Sequence, residues 1–108
     1  MELQIKGRNL EVSETMRAFA ERKLAKLGRM VHDSTRVELE LTVEKNPSVA
    51  ANQVAEATVW LKGRTLRCKE ASRDMKASID ELTEKLQREV AELRDKRLAK
   101  RRATIEPD

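Results

Sequence analysis

Alternating polar and apolar side chains predict four β-strands in this chain. The clearest alternation runs over residues 36–45, where Val37, Leu39, Leu41 and Val43 share one face. The same pattern predicts further strands at 2–6, 54–62 and 65–69. Gly63 lies in the tight turn Lys62-Gly63-Arg64, so the last two strands are expected to form a hairpin. Each strand has one apolar face, which predicts a sheet with one buried side.

Two other segments repeat their apolar residues every three or four positions, which is typical of amphipathic helices. The first begins after Ser13, a residue type that caps helix N-termini. Gly28 is the C-cap candidate, although residues 29–31 could extend the helix. Its apolar stripe consists of Met16, Phe19, Ala20, Leu24 and Leu27, with Lys23 at the margin. The second begins at Ser72, another N-cap candidate, and continues to Arg102. Its stripe consists of Met75, Ile79, Leu82, Leu86, Val90 and Leu93.

The element order β-α-β-β-β-α predicts an α+β fold of two layers, with both helices on one face of a four-stranded sheet. The first helix connects strands 1 and 2, so these strands should be parallel, whereas the hairpin-linked strands should be antiparallel. Cys68 is expected to point toward the helices, and Trp60 lies on the opposite, open face. We expect residues 1–93 to form the domain core and residues 94–108 to form a basic helical extension and tail.

The net charge of +4 is unevenly distributed over the 108 residues. Residues 94–102 carry +5, the last six residues carry −2, and residues 1–93 carry only +1. On the first helix, Arg22, Lys26 and Arg29 are spaced i, i+4 and i+7 beside the apolar stripe. Such cationic clusters are typical of surfaces that bind phosphate backbones, but a solvated helix face has the same composition, and the spacing alone does not separate the two.

Composition argues against several other classes of protein. One Phe and one Trp are too few for a sheet that stacks RNA bases, and one Cys and one His are too few for a zinc site. The three glycines lie far apart, so no phosphate-binding loop is predicted, and we expect neither an enzyme nor a cofactor. Cys68 is interpreted as a core residue and His32 as a loop residue. Asp74 and Asp80 are interpreted as a helix-terminal and a surface charge.

The chain shows no membrane-spanning or signal-peptide pattern. No apolar run approaches about 18 residues, and the N-terminus lacks an apolar core of the signal-peptide type. We therefore expect a cytoplasmic protein with no membrane partner and no small-molecule substrate.

Segments spread over most of the chain carry a family resemblance. They are Leu3 to Glu11, Arg17 with Phe19, Lys23 to Leu27, Ala55 to Thr58, Asp74 to Asp80, and Lys85 to Arg88. In this order they resemble the ribosome hibernation promoting factors, a family that includes ribosome-associated inhibitor A (protein Y). The resemblance implies the fold predicted above, similar in topology to double-stranded RNA-binding domains. It also implies binding to 16S rRNA of the small (30S) ribosomal subunit near the decoding centre, where tRNA and mRNA are blocked in stationary phase or stress.

The resemblance implies rRNA contacts from basic residues on both helices. On the first helix these are Arg17, Arg22, Lys23, Lys26 and Arg29. On the second helix they are Lys85, Arg88, Arg94, Lys96 and Arg97. Because the two helices are predicted to share a layer, one phosphate-lined groove could engage both Arg22, Lys26 and Arg29 on the first helix and Lys85 and Arg88 on the second.

The chain also departs from the family pattern. Lys76 stands where an aromatic residue is frequent, Glu89 replaces a common glutamine, and Glu92 interrupts the basic flank of the second helix. The segment 94–102 resembles the junction where longer members continue into a dimerising domain, so the chain is either a short form or part of a longer one, and ribosome dimerisation stays open. Two other functions also stay open: a protein-binding domain centred on Trp60, and a double-stranded RNA binder without ribosome preference.

Overall fold

A computed structural model describes the backbone of residues 1–105 and the side chains of residues 1–96. The elements are β1 (Glu2–Arg8), α1 (Glu14–Gly28), β2 (Arg36–Val43), β3 (Gln53–Leu61), β4 (Arg64–Ser72) and α2 (Met75–Ile105). The order and the two-layer arrangement confirm the predicted α+β fold. Within the part of the chain that the structure describes, no helix is both long and apolar enough to cross a membrane.

The four strands lie in the sheet in chain order, β1-β2-β3-β4. β1 runs parallel to β2, and the other two pairs are antiparallel, as predicted. The register aligns apolar residues across the sheet, with Ile5 opposite Leu39, and Ala57 opposite both Leu39 and Cys68. This alignment gathers the apolar side chains on the face that the helices cover.

Two strands are longer than the alternation predicts, and one is shorter. β1 continues through Gly7 to Arg8, since Arg8 still pairs with Thr42 of β2. β4 continues to Ser72, opposite Gln53, rather than ending at residue 69. β2 ends at Val43 rather than residue 45, although the Glu44 amide still donates to the Asn52 carbonyl. Backbone pairing with a neighbouring strand, which the side-chain pattern does not report, sets these ends.

The hydrogen bonds at the helix ends, rather than the residue type alone, decide where each helix begins and ends. Ser13 is the N-cap of α1 as predicted, because its Oγ accepts a hydrogen bond from the Met16 amide at 3.1 Å. The C-cap prediction for Gly28 is wrong, since Arg29 takes that position with a right-handed backbone. The N-cap prediction for Ser72 is also wrong. Ser72 ends β4, and the Asp74 carboxylate accepts from the Ala77 amide at 3.3 Å, as an N-cap does.

The core lies between the sheet and the two helices. Its largest fully buried side chains come from both layers and include Leu24, Leu27, Leu39, Leu41, Ile79, Leu82 and Leu86. Beneath the helices, β3 contributes the small residues Ala55 and Ala57, both fully buried. Cys68 is 3% exposed and belongs to this core, as predicted. The core fixes which faces of α1 and α2 point outward.

Candidate nucleic-acid interface

The outward face of α1 carries three cations, which we call the α1 ridge (Arg22, Lys26 and Arg29). The stripe Ala20, Leu24 and Leu27 is fully buried against the sheet, so Arg22 and Lys26 on the other side of α1 are turned to solvent. Arg29 is the C-cap residue that follows them. All three ridge residues are exposed, and none of them forms an ion pair with a carboxylate of residues 1–96. The three predicted ridge residues are therefore exposed cations spread over about two helical turns.

Lys23 and Arg17 lie outside this ridge. Lys23 points toward α2, and its Nζ lies 2.9 Å from Oδ1 of Asp80. The side chains are 37% and 47% exposed, so solvent screens this pair and its contribution to stability is small. Arg17 is exposed, on the flank that also carries Glu14 and Glu21. The predicted site residues of α1 therefore differ in how much positive charge they present to a ligand.

Lys85 lies on the flank of α2 that faces β4. Its Nζ lies 3.6 Å from Glu70 of β4, on the flank of α2 that also brings Glu89 to Cys68. The opposite flank of α2 faces α1 and carries Asp80. Lys85 therefore does not border a groove between the helices, and Glu70 offsets part of its charge. The residue spacing predicts which side of α2 is buried, but it does not tell which of the two exposed flanks meets α1.

Arg88 lies on the outward face of α2 and is exposed. Glu84 precedes it by four residues and Glu92 follows it by four, so both carboxylates are its neighbours on the helix surface. The positive potential around Arg88 is consequently weaker than that around the α1 ridge.

Arg94 joins the two helices at the end of the domain. Its Nη2 donates a 3.0 Å hydrogen bond to the backbone carbonyl of Met30, just after α1. Arg29, Arg94 and Lys96 border one groove of about 600 Å³ there. The apolar lining of this groove includes Met30, Val31, Leu61 and Leu93. The structure thus brings three predicted site residues together, whereas the side chain of Arg97 lies outside the described residues.

The open face of the sheet has a different electrostatic character. Lys6 Nζ lies 2.7 Å from Glu38, and this hydrogen bond raises the pKa of Lys6 and lowers the pKa of Glu38. Trp60 is 37% exposed, and the Arg36 guanidinium lies 4.7 Å from its ring centroid. Cations and carboxylates alternate on this face, so it offers no cationic surface comparable to the α1 ridge.

Cys68 is held as a neutral thiol. Its Sγ donates to Oε2 of Glu89 at 2.8 Å. Burial, together with the adjacent Glu89 carboxylate, raises the pKa of Cys68 to about 12. A thiol with this pKa is a poor nucleophile at neutral pH, because the thiolate is the reactive form. In residues 1–96 no group of three His, Cys, Asp or Glu side chains is placed to hold a metal ion.

We expect Cys68 in the folded protein to react with iodoacetamide at pH 8 at least about 100-fold more slowly than in urea-unfolded protein, because an exposed thiol has a pKa near 8.5. Mass spectrometry of timed samples measures both rates. Glu89→Gln should leave the thiol largely protected, since burial is the larger cause of the raised pKa. Equal labelling rates in the folded and unfolded protein would show that the Cys68 site opens readily.

Comparisons with known proteins show the family to which the chain belongs. Residues 3–98 match the profile of a family described as "Sigma 54 modulation protein / S30EA ribosomal protein". The chain belongs to this family. It is 33% identical over 96 residues to the ribosome hibernation promoting factor of Salmonella typhimurium, covering 89% of this chain and 96% of that protein. The resemblance seen in the sequence is therefore confirmed.

Longer family members match this chain over only part of their length. The chain is 31% identical to the ribosome hibernation promotion factor of Picosynechococcus over 102 residues, and 35% identical to that of Lactococcus lactis over 94 residues. These matches cover 94% and 83% of this chain. The chain spans about half the length of these two relatives, 53% and 48% respectively.

Two solved structures share this fold. The N-terminal domain of Thermus thermophilus Protein Y is 30% identical, with a TM-score of 0.72 over 86% of this chain and 99% of that one. A ribosomal subunit interface protein from Coxiella burnetii gives a TM-score of 0.73 at 22% identity, over 88% and 99% of the two chains. At that identity the second comparison supports the fold alone.

Proposed function

We propose that this family member acts as a ribosome hibernation factor that binds 16S rRNA of the small (30S) subunit near the decoding centre. The bound domain occludes the positions of tRNA and mRNA, and translation stops in stationary phase or stress. The observation that carries the proposal is the α1 ridge, three exposed cations without carboxylate partners in residues 1–96, in a chain whose relatives are named as hibernation factors.

The proposed mechanism is steric and needs no chemical step. Lys and Arg side chains contact phosphate oxygens, and these contacts position a protein on RNA without reading its sequence. The core between the sheet and the helices holds the ridge rigid, because interiors packed at crystal-like density deform little. A domain held in this way excludes other ligands from the same space.

The predicted contact residues are not expected to contribute equally to rRNA binding. Arg22, Lys26 and Arg29 form its centre, and Arg94 and Lys96 extend the cationic surface at the α2 end. Four further residues of the predicted set stay secondary because carboxylates lie close to them in space or along the helix: Arg17, Lys23, Lys85 and Arg88. Arg97 stays a prediction.

We expect affinity for purified small subunits to fall steeply with salt. If about six phosphates are contacted, raising KCl from 50 to 200 mM at constant Mg²⁺ should weaken binding by about 10³-fold. Co-sedimentation at each salt concentration measures the slope, and translation in vitro tests whether bound protein inhibits. A salt-independent affinity would contradict a phosphate-centred interface.

Two control measurements separate this proposal from the other functions. Excess duplex RNA should not displace the protein from small subunits, whereas a generic duplex binder would be displaced. Trp60→Ala should change the affinity for small subunits by less than about twofold relative to the unaltered chain. Trp60 lies on the face opposite the helices, and a side chain outside an interface contributes little to binding. A large loss with Trp60→Ala would instead favour a protein partner on the open sheet face.

A further inference from the structure

Three cations lie within 5.6 Å of one aromatic ring centroid, where the middle of α1 meets the beginning of α2. The guanidinium carbon of Arg22 lies 5.4 Å from the Phe19 ring centroid, and the ammonium nitrogens of Lys23 and Lys76 each lie 5.6 Å from it. We call these four residues the Phe19 cluster. Lys76 belongs to α2 and the others to α1, so the cluster joins the two helices.

The cluster holds more positive than negative charge. All three cations lie within 5.6 Å of the same centroid, so no two of them are more than about 11 Å apart. Within residues 1–96, Asp80 is the one carboxylate that forms an ion pair with any of them, through Lys23. Asp74 lies two residues before Lys76, but its carboxylate accepts from the Ala77 amide at the start of α2. Repulsion among the cations is therefore only partly offset.

Attraction to the Phe19 ring explains why the three cations lie near it. The ring carries no net negative charge, so it does not neutralise them. The negative face of an aromatic ring attracts Lys and Arg, by about 0.5–1 kcal/mol at exposed sites. Phe19 is half-buried between the helices, while Arg22 and Lys76 are exposed. The three cationic groups therefore share one ring, and the exposed Arg22 and Lys76 keep N–H groups available to solvent. A single anion between these groups would offset the repulsion.

We propose that the Phe19 cluster is a binding site for one phosphate group, with Lys76 as a contact residue. The negative ring face repels anions, so the phosphate lies against the outer N–H groups of Arg22, Lys23 and Lys76 rather than over the ring. Asp80 competes with the phosphate for Lys23, because their ion pair is exposed and weak. This inference rests on the proposed function for the identity of the ligand, which is then a phosphate of the rRNA backbone.

A titration of the full chain with pyrophosphate tests the site without the ribosome. Phe19 is the only Phe and Trp60 the only Trp, so their ring resonances are unique NMR reporters near and far from the site. At constant ionic strength, pyrophosphate should shift the Phe19 resonances saturably and leave those of Trp60 unchanged. Parallel shifts of both residues, or no shift of Phe19, would overturn the proposal.

Two substitutions should change the pyrophosphate affinity in opposite directions. Lys76→Gln should weaken binding by about threefold or more, and Asp80→Asn should strengthen it by about two- to threefold, as expected for one solvent-screened charge. A merely structural role of the Lys23–Asp80 pair predicts a loss with Asp80→Asn. Lys69→Gln, the same change on the open sheet face, is the matched control and should have no effect. Equal effects of Lys76→Gln and Lys69→Gln would exclude a specific site.

Measuring binding to small subunits tests the phosphate site and the proposed function separately. Lys76→Gln should lower the affinity about three- to tenfold and reduce the salt slope by about one, as for one lost phosphate contact. If the unaltered chain binds subunits and Lys76→Gln changes neither quantity, the site is wrong while the proposed function stands. If the unaltered chain binds no subunits but the pyrophosphate results hold, the site stands and the proposed function fails.

Discussion

Replacing Arg22 and Lys26 together by glutamate is expected to lower the affinity for small subunits by about 100-fold or more at physiological salt. The double variant removes two cations from the α1 ridge and places two carboxylates against phosphates. Like charges brought together in an interface cost several kcal/mol, in addition to the lost attraction. Both side chains are exposed, so the fold should persist. Co-sedimentation with purified small subunits measures the loss, and inhibition of translation in vitro should disappear with it.

The matched control reverses the same amount of charge on the open sheet face. Arg67 and Lys69 are exposed there, and Arg67→Glu with Lys69→Glu changes the net charge as much as the α1 double variant. We expect a loss of less than about fivefold, because distant charges are largely screened beyond about 8 Å. Thermal melts should show that both variants fold. Equal losses in the two variants would mean that net charge, rather than the α1 ridge, governs binding.

The number, type and order of the elements could be predicted because periodicity reports burial directly. Val37 to Val43 alternate with polar residues since one face of β2 is buried, and the α1 stripe repeats because one side of that helix is buried. The strand ends could not be predicted in the same way. Ser72 extends β4 because its backbone lies opposite Gln53, and a cap-type side chain carries no information about that pairing.

Only the part of the candidate site that lies along a single helix follows from the sequence. Arg22, Lys26 and Arg29 share a face because of their spacing, and the buried stripe turns this face outward. Contacts between helices depend on their packing, which spacing within either helix does not report. The sequence therefore could not tell that Lys85 faces Glu70 of β4, or that Lys76 approaches Phe19. In the sequence, Lys76 stands out only as a departure from the family pattern, which does not indicate a contact with Phe19.

The side chain of Leu86 links the long helix to the sheet, and Leu86→Ala is expected to lower the free energy of unfolding by about 2–5 kcal/mol. Leu86 is fully buried in the core that α2 shares with α1 and the sheet. Truncation removes apolar contacts and leaves a cavity that the surrounding side chains fill only in part. Urea denaturation followed by far-UV circular dichroism measures the change.

Leu93→Ala is the matched control for this prediction, since it makes the same chemical change two turns further along the same stripe. Leu93 is only half-buried, beside the groove at the end of the domain, so its truncation should cost less than half as much. Equal losses would place the two leucines in equivalent environments and contradict the core described above. Below its melting temperature, the Leu86→Ala protein should still bind small subunits, because the α1 ridge belongs to the other helix. If binding is lost while the variant is still folded, the exact docking of α2 on α1 is itself part of the interface.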